Sequence, residues 1–264
     1  MLDFQTKRRI VLKVGTSTLT HETGHLDLRR IESMVRVLAD LCNRGHEVVL
    51  VSSGAVSAGI ARLGLDHRPQ STAEKQAMAA VGQNQLMKLY ERLFSDYGYP
   101  VAQILMTRDV MEDGERRHNA ESTFAELLKL HCVPIVNEND SVSSEGINFG
   151  GNDTLSAYVA ITAHADLLVN LSDVDGLFDA DPRKNKDARL ISTVDGITDD
   201  ILALAGGAGT ARGTGGMQAK LNAARMVTEC GIPMIIANGK DPAILYDMIE
   251  GKSVGTYFMT KEHV

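Results

Sequence analysis

Ile10–Val11–Leu12–Lys13–Val14–Gly15–Thr16–Ser17 decides how the rest of the chain is read. Ile10 to Val14 is a short apolar run broken only by Lys13, the pattern of a strand buried on both faces. Gly15, Thr16 and Ser17 end the run with residues that can bring backbone N–H groups close to an anion. A lone lysine in such a run is usually an edge residue whose amine snorkels to water. The glycine turn directly behind Lys13 favours contact with a phosphate instead.

The pattern repeats outward from this stretch. Val48–Val51, Val101–Met106, Val133–Val136, Leu167–Leu171, Met234–Ala237 and Thr256–Phe258 read as further strands. Pro134 marks the fourth as one that lies at an edge or starts late. Between them, Leu28, Ile31, Val35, Leu38 and Leu41 recur at helical spacing, with Gly45 as a stop. Ser71 with Glu74 forms a capping box opening a long helix to about Tyr97. Phe124, Leu127, Leu128 and Leu130 mark another helix, followed by Thr154–Ala163, Met217–Cys230 and Ala243–Ile249. The signal weakens after Ala180–Asp181–Pro182. Strands alternating with helices predict an α/β fold with a mostly parallel sheet covered on both faces. No repeat, low-complexity tract or proline-rich linker divides the chain, so one domain over residues 1–264 is expected.

In open parallel sheets ligands bind beyond the carboxyl ends of the strands. Polar residues and glycines collect there: Gly15–Thr16–Ser17, Ser52–Ser53–Gly54–Ala55, Thr107–Arg108–Asp109, Asn137–Glu138–Asn139–Asp140 and Ser172–Asp173–Val174–Asp175–Gly176. Five such ends predict one crevice along the sheet. A second glycine-rich stretch runs from Gly206 through Gly213–Thr214–Gly215–Gly216 into Met217–Gln218–Ala219–Lys220. A glycine loop entering a helix N-terminus suits an anion, and Lys220 sits about one turn in. Asp140, Asp153, Asp173 and Asp175 add carboxylates near the same ends. Together with two lysines they suit phosphoryl transfer.

Composition excludes other classes. The formal net charge of −7 argues against a nucleic-acid binder, which needs a clustered basic face. No run approaches the length of a membrane span, and the N-terminus lacks a signal-peptide pattern. Cys42, Cys132 and Cys230 are too scattered for a disulfide framework and read as small buried residues of a reducing compartment. A cytoplasmic protein is expected. No metal-ligand motif occurs. Gly251–Lys252–Ser253 ends like a Walker A loop, but Tyr246 replaces its first glycine. Gly207 and Gly209 lack the third glycine of a dinucleotide fingerprint, with Arg212 in its place. The D-F-G and H-R-D motifs of protein kinases are absent.

The residues resemble the glutamate 5-kinases, a family within the amino acid kinase superfamily. The matching stretches are Lys13–Val14–Gly15–Thr16–Ser17, Ser53–Gly54–Ala55, Asn137–Glu138–Asn139–Asp140, Asn152–Asp153, Ala180–Asp181–Pro182 and Gly213–Thr214–Gly215–Gly216–Met217 with Lys220. They span nearly the whole chain in the family's order. The resemblance implies a three-layer αβα sandwich that uses ATP to convert glutamate to γ-glutamyl phosphate, the first step of proline synthesis. By motif position, Lys13 and Lys220 flank the transferred group and Asp153 orients them. Ser53, Gly54, Asn137, Asp140 and Asn152 hold glutamate. Lys13, Gly15, Ser172, Asp173, Thr214, Gly215, Gly216, Met217 and Lys220 hold ATP, with Mg²⁺ carried on the nucleotide.

The resemblance further implies proline as a feedback inhibitor, hand-off of the product to glutamyl-phosphate reductase, and dimers or tetramers. Gly151 stands where the family often has an aspartate, and Ser172 where threonine is common. Many bacterial relatives carry a C-terminal RNA-modification-like (PUA) domain. This chain ends at Val264, just after the kinase region, so it is expected to lack that domain, as a short form or a truncation. The rival readings are another carboxylate kinase of the superfamily, acting on acetylglutamate or aspartate, and a non-catalytic ligand sensor on the same fold. Intact Lys13, Asp153 and Lys220 speak against the sensor.

Overall fold

In the computed structural model, which describes residues 4–143, 149–205 and 216–260, each apolar run noted above is a strand. These are β1 (Arg9–Val14), β2 (Glu47–Ser52), β3 (Val101–Met106), β4 (Val133–Glu138), β5 (Leu167–Ser172), β7 (Met234–Asn238) and β8 (Thr256–Phe258). A two-residue β6 (Thr193–Val194) joins them. They form one sheet in the order β3-β4-β2-β1-β5-β7-β8-β6. Every pairing is parallel except β7 with β8. β1 is flanked by β2 on one side and β5 on the other. Its neighbours thus leave in opposite directions, which opens a crevice at its carboxyl end.

Helices cover both faces, completing the three-layer αβα sandwich. On one side Ile10, Leu12, Leu50 and Ile135 pack against α2 (Leu28–Asn43) and α4 (Thr72–Ser95) through Ile31, Val35, Leu38, Tyr90 and Phe94. On the other, Val11, Val49, Val136 and Leu168 meet α6 (Gly114–Lys129), α7 (Asn152–Thr162) and α9 (Met217–Glu229) through Phe124, Leu155, Val159 and Leu221. The odd–even split of β1 between two cores is what a strand buried on both faces requires. The capping box of α4 forms, with Glu74 N–H donating to Ser71 Oγ at 3.2 Å. The Glu74 carboxylate reaches back one residue further than expected, to Gln70 N–H at 2.7 Å.

Several expectations need correction. Of the two readings Pro134 left open, the edge is excluded, since β4 lies between β3 and β2, and the late start holds for the β2 ladder alone. Pro134 is tolerated because Val133 N–H serves β3, donating to Pro100 O at 2.9 Å, while pairing with β2 begins only at Ile135. The missing Pro134 donor therefore falls before that ladder starts. Leu130 is exposed at the C-cap of α6, and Leu28 is exposed at the start of α2. Cys230 is exposed at the end of α9 and the other two cysteines are half-buried.

Short helices that no pattern announced also occur: α1 (Thr16–Leu19), α3 (Ala55–Leu63), α5 (Asp109–Glu112) and α8 (Asp199–Ala203). α10 (Ile244–Ile249) completes the set among the described residues, and none of their helices is long and apolar enough to cross a membrane. α3 lies directly on α4 by way of two glycines. A Cβ on Gly59 would stand 1.9 Å from Met78 O, and one on Gly82 1.7 Å from Ala55 O.

Candidate active site

Three charged side chains meet in the crevice. Lys13 comes from the next-to-last position of β1, Asp153 from the first turn of α7, and Lys220 from the first turn of α9. Asp153 accepts from both lysines: Lys13 Nζ lies 2.6 Å from Oδ1 and Lys220 Nζ 3.3 Å from Oδ2. The lysine side chains are 7 % exposed and the aspartate 3 %. The three sites span 207 positions of sequence, yet each sits at the end of an element that points into one crevice. A central-strand lysine this deeply buried is no snorkelling edge residue.

Burial is the largest influence on Lys13 and lowers its pKa. Asp153 pulls it back up and Lys220 pushes it down again, leaving it below the usual lysine range. Burial pushes the Asp153 carboxyl up, but the two ammonium groups outweigh it and hold the carboxyl below its ordinary value. The cluster thus sets two cations on one shared anion, with Asp173 a further and weaker influence on Lys13. Such a site attracts and stabilises negative charge that develops nearby.

A cavity of about 620 Å³ opens on the Asn152 side of the cluster. Ser53, Gly54, Asn137, Asp140 and Asn152 all line it, as the family resemblance grouped them. Gly54 takes φ 98° at the N-cap of α3, a backbone that glycine adopts without strain. Asn152 Nδ2 donates to Ser53 Oγ at 2.9 Å and Asn137 Oδ1 at 3.1 Å. Asp140 faces Lys75 of α4 at 3.5 Å. Gly151, in place of the family's frequent aspartate, has φ 132°, where a side chain is strained.

A second cavity of about 400 Å³ opens on the Lys220 side. Ser172, Asp173, Gly216, Met217 and Lys220 line it, with Val174, Leu177, Phe178 and Leu204 as its apolar wall. Gly15 lies outside both linings, at the N-cap of α1, where an added Cβ would approach Lys13 Nζ to 3.6 Å. Thr214 and Gly215 lie outside the described residues. One of the five polar strand ends does not belong to the crevice. Thr107–Arg108–Asp109 turns into α5, with Asp109 bonded to Arg116 and Arg108 near Glu112.

Some contributors were not singled out from the sequence. Asn170, fully buried in β5, donates Nδ2–H to Asp153 Oδ1 at 2.7 Å. A polar residue inside an apolar strand, the signal that raised Lys13, would have found it. Lys75, Gln83 and Tyr90 on α4 reach Asp140, Asn137 and Ser52. Those contacts join segments 38 or more positions apart and leave no local mark.

Residues 8–238 match the model of the amino acid kinase family. The chain is 51 % identical over 259 residues to a glutamate 5-kinase of Clostridium perfringens, covering 97 % of this chain and 96 % of the relative. It is 53 % identical over 251 residues to a glutamate 5-kinase of Clostridium tetani, covering 95 % and 94 %. A crystal structure of UMP kinase from Bacillus anthracis superposes with a TM-score of 0.66 at 18 % identity over 96 % of each chain, a likeness of fold alone.

Proposed function

This chain belongs to the amino acid kinase family, within it to the glutamate 5-kinases, and we propose that its crevice transfers the γ-phosphoryl group of ATP to the side-chain carboxylate of glutamate. The observation that carries this reading is the buried Lys13–Asp153–Lys220 cluster between two cavities of unlike lining. Glutamate occupies the first cavity. Ser53, Gly54, Asn137 and Asn152 position it, and Asp140 exchanges its contact with half-exposed Lys75 for the α-ammonium. ATP occupies the second. Gly15, Ser172, Asp173, Gly216 and Met217 hold it, with Thr214 and Gly215 of the glycine loop.

The reaction needs no general base, because a carboxylate with a pKa near ~4.3 is already ionised at neutral pH. The obstacle is repulsion between that carboxylate and the phosphate it attacks. Lys13 and Lys220 offset the repulsion as charge spreads onto the transferred oxygens. Asp153 holds the two ammonium groups apart and in place, so no reorganisation is needed at the moment of transfer. Mg²⁺ fits as a companion of the nucleotide. Among the described residues no three acidic, histidine or cysteine side chains form a cage. Mg²⁺ commonly takes one or two carboxylates beside phosphates and water. Asp173, on the second cavity's wall, would hold it, and it supplies charge neutralisation when bound. Proline inhibition, hand-off to glutamyl-phosphate reductase, dimers or tetramers and a cytoplasmic location belong to the same proposal.

The test traps the acyl phosphate with hydroxylamine in the presence of ATP, across glutamate, aspartate and N-acetylglutamate. Hydroxamate should form with glutamate well above the others. Preference for N-acetylglutamate or aspartate, or no ATP-dependent product, overturns the reading.

A further inference from the structure

Two amides stand side by side at the first cavity, and backbone groups identify the oxygen and the nitrogen of each. Glu138 N–H donates to Asn137 Oδ1 at 2.9 Å. A backbone N–H can only donate, so that end of the Asn137 amide is its oxygen. Asn152 Nδ2 donates to the Ser52 carbonyl at 3.1 Å. A carbonyl can only accept, so that end of Asn152 is its nitrogen. Ser53 Oγ and Asn137 Oδ1 also lie within hydrogen-bond distance of this nitrogen, so its two protons are shared among three acceptors. Asn137 is 3 % exposed, so its own Nδ2 cannot turn to water and needs an acceptor inside the protein. Gln83 Oε1, from α4, takes it at 3.0 Å.

We propose that Gln83 fixes the donor–acceptor polarity of the substrate pocket and so determines its selectivity for an amino acid over a plain dicarboxylate. The proposal rests on the reading of this cavity as the glutamate site. With Asn137 Nδ2 satisfied by Gln83, Asn137 Oδ1 stays turned toward Asn152. That keeps the Asn152 nitrogen inward, and leaves its oxygen and the Ser53 hydroxyl proton for the ligand. The pocket then offers an acceptor that, with Asp140, suits an α-ammonium, and a hydroxyl donor that suits a carboxylate.

Without an acceptor at position 83, a buried N–H loses its partner. Flipping Asn137 to relieve this sets its nitrogen against Asn152 Nδ2 and Glu138 N–H. The relay then loses its Asn137 acceptor, and the Asn152 amide is held by the Ser52 carbonyl and Ser53 Oγ alone. Gln83 is half-buried and is not part of the cavity wall, so it acts through Asn137 as a positioning residue.

The test compares wild type, Gln83→Leu and Gln83→Glu by hydroxylamine trapping, with L-glutamate and with glutarate, which lacks the amine. ATP is varied separately. Gln83→Leu should raise the KM for glutamate about 10-fold or more and lower the glutamate-over-glutarate preference by a similar factor, with the KM for ATP within about 2-fold. Gln83→Glu keeps an acceptor in a partly solvated position and should hold preference and KM within about 3-fold of wild type. Damage to the fold alone lowers turnover with both acids equally and leaves preference unmoved. If Gln83→Leu is insoluble, Gln83→Lys, which presents a donor to Asn137, should show the same lost preference. Wild-type preference in Gln83→Leu or Gln83→Lys, or equal loss in Gln83→Glu, overturns the role of Gln83. A wild type that makes no glutamyl hydroxamate overturns the glutamate reading itself.

Discussion

Replacing Asp153 with asparagine keeps the side chain's size and removes the one carboxylate that Lys13 and Lys220 share. At an effective dielectric of ~20, the 2.6 Å and 3.3 Å contacts represent about 6 and about 5 kcal/mol of gross attraction. Desolvation of three ions, several kcal/mol each, cancels most of this. The loss on mutation is governed by what stays behind: two ammonium groups, each 7 % exposed, that have lost the carboxylate they share. Breaking a buried ion pair from one side costs roughly 3–5 kcal/mol. The asparagine oxygen still accepts one hydrogen bond, which places the cost near the lower end, about 3 kcal/mol, and lowers Tm by about 6 °C or more.

Turnover should fall about 100- to 1000-fold, with a much smaller change in the KM for ATP. The pH dependence carries the sharper test. Asp153 is the main influence raising the Lys13 pKa against burial. Without it that pKa drops further and the ammonium is lost as pH rises. The variant's residual activity should therefore climb as pH falls. The Asp153 carboxyl is held below its ordinary value in the folded protein. Its stabilising contribution is present above the ordinary carboxylate range and lost as pH falls through the lowered value, and the variant should lack this acid-limb loss. Kinetics by hydroxylamine trapping check the first statement, and melting curves carried down into the acid range where carboxylates protonate check the second. Turnover within about 5-fold of wild type, or an unchanged pH profile, would refute the reasoning.

Lys13→Arg keeps the charge but puts a planar fork where a compact ammonium lies 2.6 Å from Asp153, close beside Gly15. Turnover should fall steeply while melting shows a folded protein; an active variant would mean that Lys13 is not in the reacting position. Asp140→Asn should raise the KM for glutamate and lower its kcat/KM by about 30- to 1000-fold, leaving the KM for ATP almost unchanged. Equal effects on both substrates, measured with each varied in turn, would show that Asp140 does not read the amine. Gly82→Ala places a Cβ 1.7 Å from Ala55 O, so α3 must move off α4. Overpacking of this kind costs about 1–3 kcal/mol or more. Because α3 begins directly after Gly54, the KM for glutamate should rise more than that for ATP. Calorimetry with kinetics tests it, and an unshifted Tm would contradict the contact.

Legibility varied with the range of the interaction. The strand at Arg9–Val14 and its parallel partners were readable because a strand buried on both faces must be apolar at every position. α4 was readable because Ser71 and Glu74 act within a single turn. α3 was not: its residues include Gly59, a poor helix former, and what favours it is contact with Gly82 on another helix. Pro134 left β4 open between an edge and a late start, because a proline's tolerance depends on which neighbour its missing donor would have faced. That is a property of the sheet, not of the segment. The polar end of β3 was assigned to the crevice by analogy with the other four, but the edge position of β3 puts it out of reach.

The chain's alternation of apolar runs and amphipathic stretches determined the α/β class, because local burial pattern follows local composition. The order of its motifs likewise brought Lys13, Asp153 and Lys220 forward as candidates. What only the tertiary structure decided is how these groups are held. Asp153 meets Lys220 from 67 positions away and Asn170 from 17. The buried Asn137 amide nitrogen finds its acceptor in Gln83, 54 positions away on a helix in another layer. Hydrogen bonds and ion pairs act over about 3 Å in directions set by lone pairs and N–H vectors. Which partner satisfies a buried polar group is therefore settled only when the layers pack and water is excluded, and no periodicity along the chain encodes it.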